Sequence, residues 1–175
     1  MIHQFWDERN GGFFFTGKAN ESLIAQSKNP YDNAIPSANS VAVSNLIRLS
    51  YLTGEESLKQ KAEQILHLFH SLLEQHPSGF AQMLSGLSLF LGPQEIGIVG
   101  SKSNHKTKSM LKEIYLAYLP NKILSLRDPQ EPIEGSWFPF LRDKGNQEVP
   151  TTFVCKGFTC LPPVKDEKEL RKILK

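Results

Sequence analysis

The chain's 175 residues suit one domain of ordinary size, and an apolar fraction of 39% supports a core but not a membrane protein. Twenty basic against eighteen acidic residues leave a net charge of +2, too small a surplus to act as an electrostatic footprint for nucleic acid. Two cysteines are too sparse for a disulfide scaffold, no apolar run approaches the ~18 residues that span a bilayer, and residues 1–8 carry no readable signal peptide, so the expected compartment is the cytoplasm.

In chain order, Asn10 to Gly17 sets three consecutive phenylalanines between glycines, which suits a tight turn or short hairpin. A self-sufficient domain rarely begins by exposing Phe5, Trp6 and such a triplet, so this stretch reads as a surface that other protein covers. After an extended segment over residues 29–36, Ser37 is a good N-cap for a helix that runs to about Leu52 and stops at Thr53-Gly54. A second helix starts near Glu55, with Leu58, Ala62, Ile65, Leu66, Phe69, Leu72 and Leu73 at helical spacing. His76-Pro77-Ser78 breaks it. A third follows, with Phe80, Met83, Leu84, Leu87, Phe90 and Leu91 as its expected buried face and Gly92-Pro93 as its end. Three such helices joined by short turns make a bundle, or an arc of a larger helical ring.

The period then changes. Glu95 to Gly100 reads as a short strand, Thr107 to Tyr118 as an amphipathic helix, and Lys122 to Leu126 as a second strand, which together predict a βαβ unit with parallel strands. A loop rich in Pro, Glu and Gly leads to a third strand, Thr151 to Cys155, and a terminal helix over Asp166 to Leu174. The expected fold is therefore mainly α over residues 1–93, with a small α/β element over 94–175.

Several motifs, in order, resemble those of a known family: Asp7 with Gly11 to Thr16, Tyr31 to Val41, Pro150 to Cys155, and Cys160 with Pro162. They are similar to the C-terminal third of the thioredoxin-domain-containing proteins related to spermatogenesis-associated protein twenty, and the resemblance covers nearly the whole chain. It implies that the helical hairpins are part of an (α/α)6 barrel like that of six-hairpin glycosidases and N-acylglucosamine 2-epimerases. It also implies that this chain is a fragment whose partners are the thioredoxin-like domain and the remaining barrel helices of a parent protein. Where the family usually has Gly, this chain has Ala38, which disfavours any left-handed backbone there.

In such barrels the loop-to-helix junctions point into a central cleft that would take a sugar. Phe14, Ser37 and Asn39 are the candidate substrate-binding residues, since aromatic rings stack on sugar faces while amides and hydroxyls bond the sugar's own hydroxyls. Asp7 and Asp32 are the carboxylate pair nominated for catalysis by an epimerase or hydrolase, chemistry that needs two carboxyl groups about 5 to 10 Å apart. Local capping accounts equally for Ser37 and Asp32.

Other groups have ordinary readings beside the functional ones. His67 and His70 lie three apart on the second helix, but Leu68 and Phe69 between them do not make a zinc motif, so no metal is assigned, and no cofactor. Gly100 to Lys106 follows a strand and precedes a helix, where backbone N–H groups attract anions, yet it lacks the second glycine and the Gly-Lys-Ser/Thr ending of a P-loop. Lys102, Lys106, Lys108 and Lys112 read as a solvated helix face. Cys155 and Cys160 are separated by four residues rather than the two of a thioredoxin motif. A cytosolic setting favours reduced thiols there, and a redox role requires the loop to bring the two Cα atoms within ~7 Å. The functions expected are a structural and sugar-binding contribution to a parent protein, with a carbohydrate-active enzyme or a thiol redox protein as alternatives. An incomplete ring also exposes apolar faces, so self-association is expected, with neither nucleic acid nor membrane as a partner.

Overall fold

The computed structural model describes residues 1–20, 25–132, 138–157 and 159–175. They group into two compact units, one of residues 1–50 and 55–91 and one of residues 51–54 and 92–175. The architecture is mainly helical with a small four-stranded sheet.

In the first unit a single turn, α1 (Ile2–Phe5), leads into a tight hairpin in which Trp6 bridges Phe13. Gly11 and Gly12 both take left-handed φ, at 72° and 77°, as a side chain there would resist. Trp6 and Phe13 pack edge to face at 5.1 Å and are 2% and 4% exposed. The expected exposed aromatic cluster is thus largely covered within the unit. Lys61 lies over the Trp6 ring, Leu68 lies against Gly12, and of the triplet only Phe15 stays fully exposed.

Helix α2 (Ala38–Thr53) is capped by Ser37, whose Oγ accepts from the Ser40 amide at 3.0 Å. Ala38 opens this helix, so the position filled by alanine needs no left-handed backbone. The helix stops at Gly54, which takes φ 75° beyond its last residue. Helix α3 (Glu56–Gln75) buries Leu58, Ala62, Ile65, Leu66, Phe69 and Leu73, the stripe its spacing predicts, with Leu72 only half-buried. A 3-10 turn, Pro77–Gly79, follows.

Helix α4 (Ala81–Leu91) differs from expectation in phase. Its buried residues are Met83, Gly86 and Leu89, continuing from Phe80, while Leu84, Leu87 and Phe90 are half-buried and Leu91 is exposed. Gly86 explains the rotation. A Cβ there would lie 2.8 Å from Val43 Cγ1, so the missing side chain lets α4 press against α2 on the Met83–Gly86–Leu89 side and turns its other leucines outward.

The second unit is a sheet in the order β2-β1-β3-β4, built from β1 (Gln94–Val99), β2 (Lys122–Arg127), β3 (Thr151–Lys156) and β4 (Thr159–Cys160). β1 and β2 are parallel and joined by α5 (His105–Leu116), as the βαβ pattern predicts. β3 runs antiparallel to β1, and the two-residue β4 pairs antiparallel with β3. Alternation sorts the strand residues. Ile96, Ile98 and Val154 join Met110 and Ile114 of α5 and Leu170 of α7 (Glu167–Ile173) in one core. Val99 and Phe153 face the other way, against Leu141 of α6 (Pro139–Arg142). That short helix lies within the stretch expected to be loop, and residues 133–137 of the same stretch lie outside the described residues. Asp166 caps α7 by accepting from the Lys168 and Glu169 amides.

Candidate functional site

The nominated carboxylates and sugar-binding residues fall into two clusters in the first unit. In the first, Asp7 sits at the base of the glycine hairpin. Lys28 Nζ donates to Asp7 Oδ2 and to the Gly11 carbonyl, each at 2.6 Å, and the Arg9 amide donates to Asp7 Oδ1 at 2.8 Å. The Lys28 hydrogen bond, aided by the Arg9 amide and Asn10, outweighs burial and holds the Asp7 carboxyl well below the usual carboxylate range. An Asp held in this way stays ionised at neutral pH, where it can bind or orient a cation or hydroxyl but cannot give up a proton. Asn39 joins the cluster from the first turn of α2. Its Oδ1 accepts from the Phe13 amide at 2.7 Å and its Nδ2 donates to the Phe13 carbonyl at 3.0 Å, in the manner of a neighbouring strand. Phe14 carries the Lys28 ammonium 4.8 Å from its ring centroid.

The second cluster is the junction of the extended segment with α2 and α4. Asp32 Oδ1 accepts from the Ser37 amide at 2.9 Å, and its Oδ2 accepts from the Gln82 and Met83 amides at 2.9 and 3.2 Å. Asp32 thus caps the free N–H groups of α4 from fifty residues away, a favourable place for a negative charge. Ser37 Oγ lies 2.8 Å from Ser40 Oγ, and the residue is buried. Each nominated polar side chain in these clusters therefore has a defined internal partner. Lys28, which sets the charge state of Asp7, had no signal in the sequence.

Between α3 and α4 runs a groove of about 410 Å³. Leu66, Leu73, Leu84, Leu87, Phe90 and Leu91 supply its apolar lining. Its rim carries His67 and His70, which approach Glu63 and Glu74 at 3.8 and 3.9 Å. The histidine pair thus faces carboxylates on its own helix, and no cluster of three metal-ligating side chains occurs among the described residues.

In the second unit, the strand-to-helix loop is closed by an acidic residue that follows β2. Asp128 Oδ2 accepts from the Lys102 amide at 2.7 Å and its Oδ1 from the Gln130 amide at 3.0 Å. Those amides hold its carboxyl below the usual range, so the anion drawn to this loop is a side chain of the protein itself. Asn104 caps α5 through the Lys106 amide.

Cys155 and Cys160 form a disulfide, with Cα atoms 4.0 Å apart, in place of the reduced thiols expected. Register is the physical reason. The two are direct partners across β3 and β4, and the Leu161 amide donates to the Val154 carbonyl at 2.9 Å, which leaves Cys155 and Cys160 as the close, non-hydrogen-bonded pair. Cys155 is 6% exposed, whereas Cys160 is open to solvent. Glu95 lies directly across β1 from Cys155, and burial pushes its carboxyl above the usual range against the opposing pull of Lys144.

No helix among the described residues is long and apolar enough to cross a membrane. No protein-family model matches the chain. It is 32% identical over 174 residues to spermatogenesis-associated protein 20 of Homo sapiens, covering 97% of this chain and 22% of that protein. The Rattus norvegicus protein of the same name matches at the same identity and coverage. An uncharacterised protein of Caenorhabditis elegans is 25% identical over 171 residues, 97% of this chain and 23% of that one. The chain is thus a distant homologue, along nearly all its length, of one segment of the spermatogenesis-associated protein 20-like proteins, and it spans about a fifth of the length of the curated relatives it matches.

Proposed function

We propose that this chain serves as a structural and sugar-binding segment of a larger thioredoxin-domain-containing, cytoplasmic protein, its helical hairpins forming an arc of an (α/α)6 barrel. The observation that carries this reading is the groove between α3 and α4. A helical pair that is complete in itself turns its leucines inward, but here Leu84, Leu87 and Leu91 line an open apolar face. Further helices of a ring would cover such a face. In the chain by itself the same face would seek another copy, so reversible self-association that Leu87→Glu abolishes is the expected behaviour.

The hairpin cluster supports the sugar-binding role. Phe14 carries Lys28, which pairs with the ionised Asp7, and the next residue, Phe15, is 76% exposed. An exposed aromatic ring offers a stacking face to a sugar ring. Calorimetric titration with neutral oligosaccharides tests this: binding is expected, weakened at least tenfold by Phe15→Ala. A panel of such sugars giving no heat of binding, or equal affinity in the variant, would remove the sugar from the account.

A further inference from the structure

We propose that Cys155 and Cys160 are a thiol–disulfide exchange site that takes a dithiol as its reductant, with Glu95 as the proton donor to Cys155. Three observations argue for exchange rather than for a structural staple.

The first is redundancy. The bond closes a separation of only five residues, and loop-closure stabilisation is smallest for short loops. The strands it joins are already held by the Leu161–Val154 hydrogen bond and by paired bonds between Thr152 and Val164, at 2.8 and 2.9 Å. Val164 is itself buried in the core of the unit. Cutting the disulfide therefore leaves the outer segment anchored.

The second is asymmetry. Cys160 is exposed on a two-residue edge strand, while Cys155 is buried in the sheet. An incoming thiolate can reach the Cys160 sulfur, which makes Cys155 the leaving group, and because burial disfavours its thiolate that group needs a proton donor.

The third is Glu95. Strand alternation puts Glu95, Cys155 and Cys160 in one row on the same face of three adjacent strands. Directly opposed residues have Cβ atoms about 5 Å apart, within reach of a carboxyl group. The raised Glu95 carboxyl keeps its proton to higher pH than an ordinary glutamate, Lys144 being the charge that opposes this, and β2 sets apolar Ile123 on its other side.

A thiolate of the dithiol attacks Sγ of Cys160; the Cys155–Cys160 bond breaks, and a mixed disulfide to Cys160 forms. Cys155 leaves as thiolate and takes the proton of Glu95, which is restored from solvent. The second thiol of the reductant then attacks its own sulfur in the mixed disulfide and releases Cys160, which is protonated by water. Two electrons and two protons have passed from the dithiol to the cysteine pair.

The test uses the folded chain with dithiothreitol as probe, alkylation to count thiols by mass, and circular dichroism to confirm that each variant keeps its structure. Native protein is expected to gain two alkyl groups without denaturant and to lose them when re-oxidised before alkylation. With oxidised glutathione, the lone Cys160 of Cys155→Ser is expected to form a mixed disulfide at least tenfold faster than the lone Cys155 of Cys160→Ser. Glu95→Gln is expected to slow reduction about tenfold, and to remove the fall in rate per dithiothreitol thiolate that accompanies Glu95 deprotonation in the native chain. A disulfide that resists dithiothreitol until the protein unfolds, equal reactivity of the two lone thiols, or an unchanged rate and pH profile in Glu95→Gln overturns the proposal.

Discussion

Asp7 and Lys28 are largely buried, at 9% and 13% side-chain exposure, so their contact at 2.6 Å is screened less than a surface ion pair. The folded-state pKa of Asp7 lies below its ordinary value of 3.8, with Lys28 as the first cause. A depressed carboxylate stabilises the fold fully above its unfolded-state pKa, and that contribution is lost as pH falls through the folded value. Stability is therefore expected to drop as pH falls below about 4, and Asp7→Asn should flatten that part of the profile. Lys28→Met, which leaves the carboxylate without its cation, should cost about 2 kcal/mol at pH 7 by urea denaturation. A variant as stable as the parent would mean that solvent already supplies what Lys28 does. The sequence marked Asp7 but not its partner, because the two are brought together only when the chain folds back across 21 residues. The same limit applied to the disulfide. A spacing of five residues is silent on register, and the pairing that joins Cys155 to Cys160 and aligns Glu95 beside them arises only in the assembled sheet.

Helices α3 and α4 show why one element was legible and its neighbour was not. α3 carries apolar residues on one side of five turns with charges opposite, so its buried face follows from spacing. α4 has eleven residues, six of them Met, Leu or Phe, spread around its circumference, and several phases fit equally. The phase is set by Gly86, a residue that hydrophobic periodicity does not count. Its consequence is measurable within the one helix. Leu89→Ala should cost about 2–4 kcal/mol, as at a packed core site, whereas Leu87→Glu should change stability by less than about 1 kcal/mol. Equal losses in urea denaturation would mean that both leucines are core and that the groove is closed. In the second unit, the parallel pair β1 and β2 was readable because a strand, helix and strand in close succession permit little else. α6 was not, because its four residues are too short for a helical period to register.

For the whole molecule, the helical unit combines a covered N-terminal hairpin with an uncovered groove. The aromatic stretch expected to need an outside partner packs against α2 and α3, and the open apolar surface of the unit is the groove between α3 and α4. The chain spans about a fifth of the relatives to which it is similar, and the proposed role sets this groove against further helices. The measurement that bears most directly on this account is sedimentation velocity of the purified chain over a hundredfold range of concentration, beside Leu87→Glu under the same conditions. The parent chain is expected to associate reversibly with concentration and the variant to stay monomeric throughout. A parent chain that stays monomeric at the highest concentration and unfolds in one cooperative transition would contradict it.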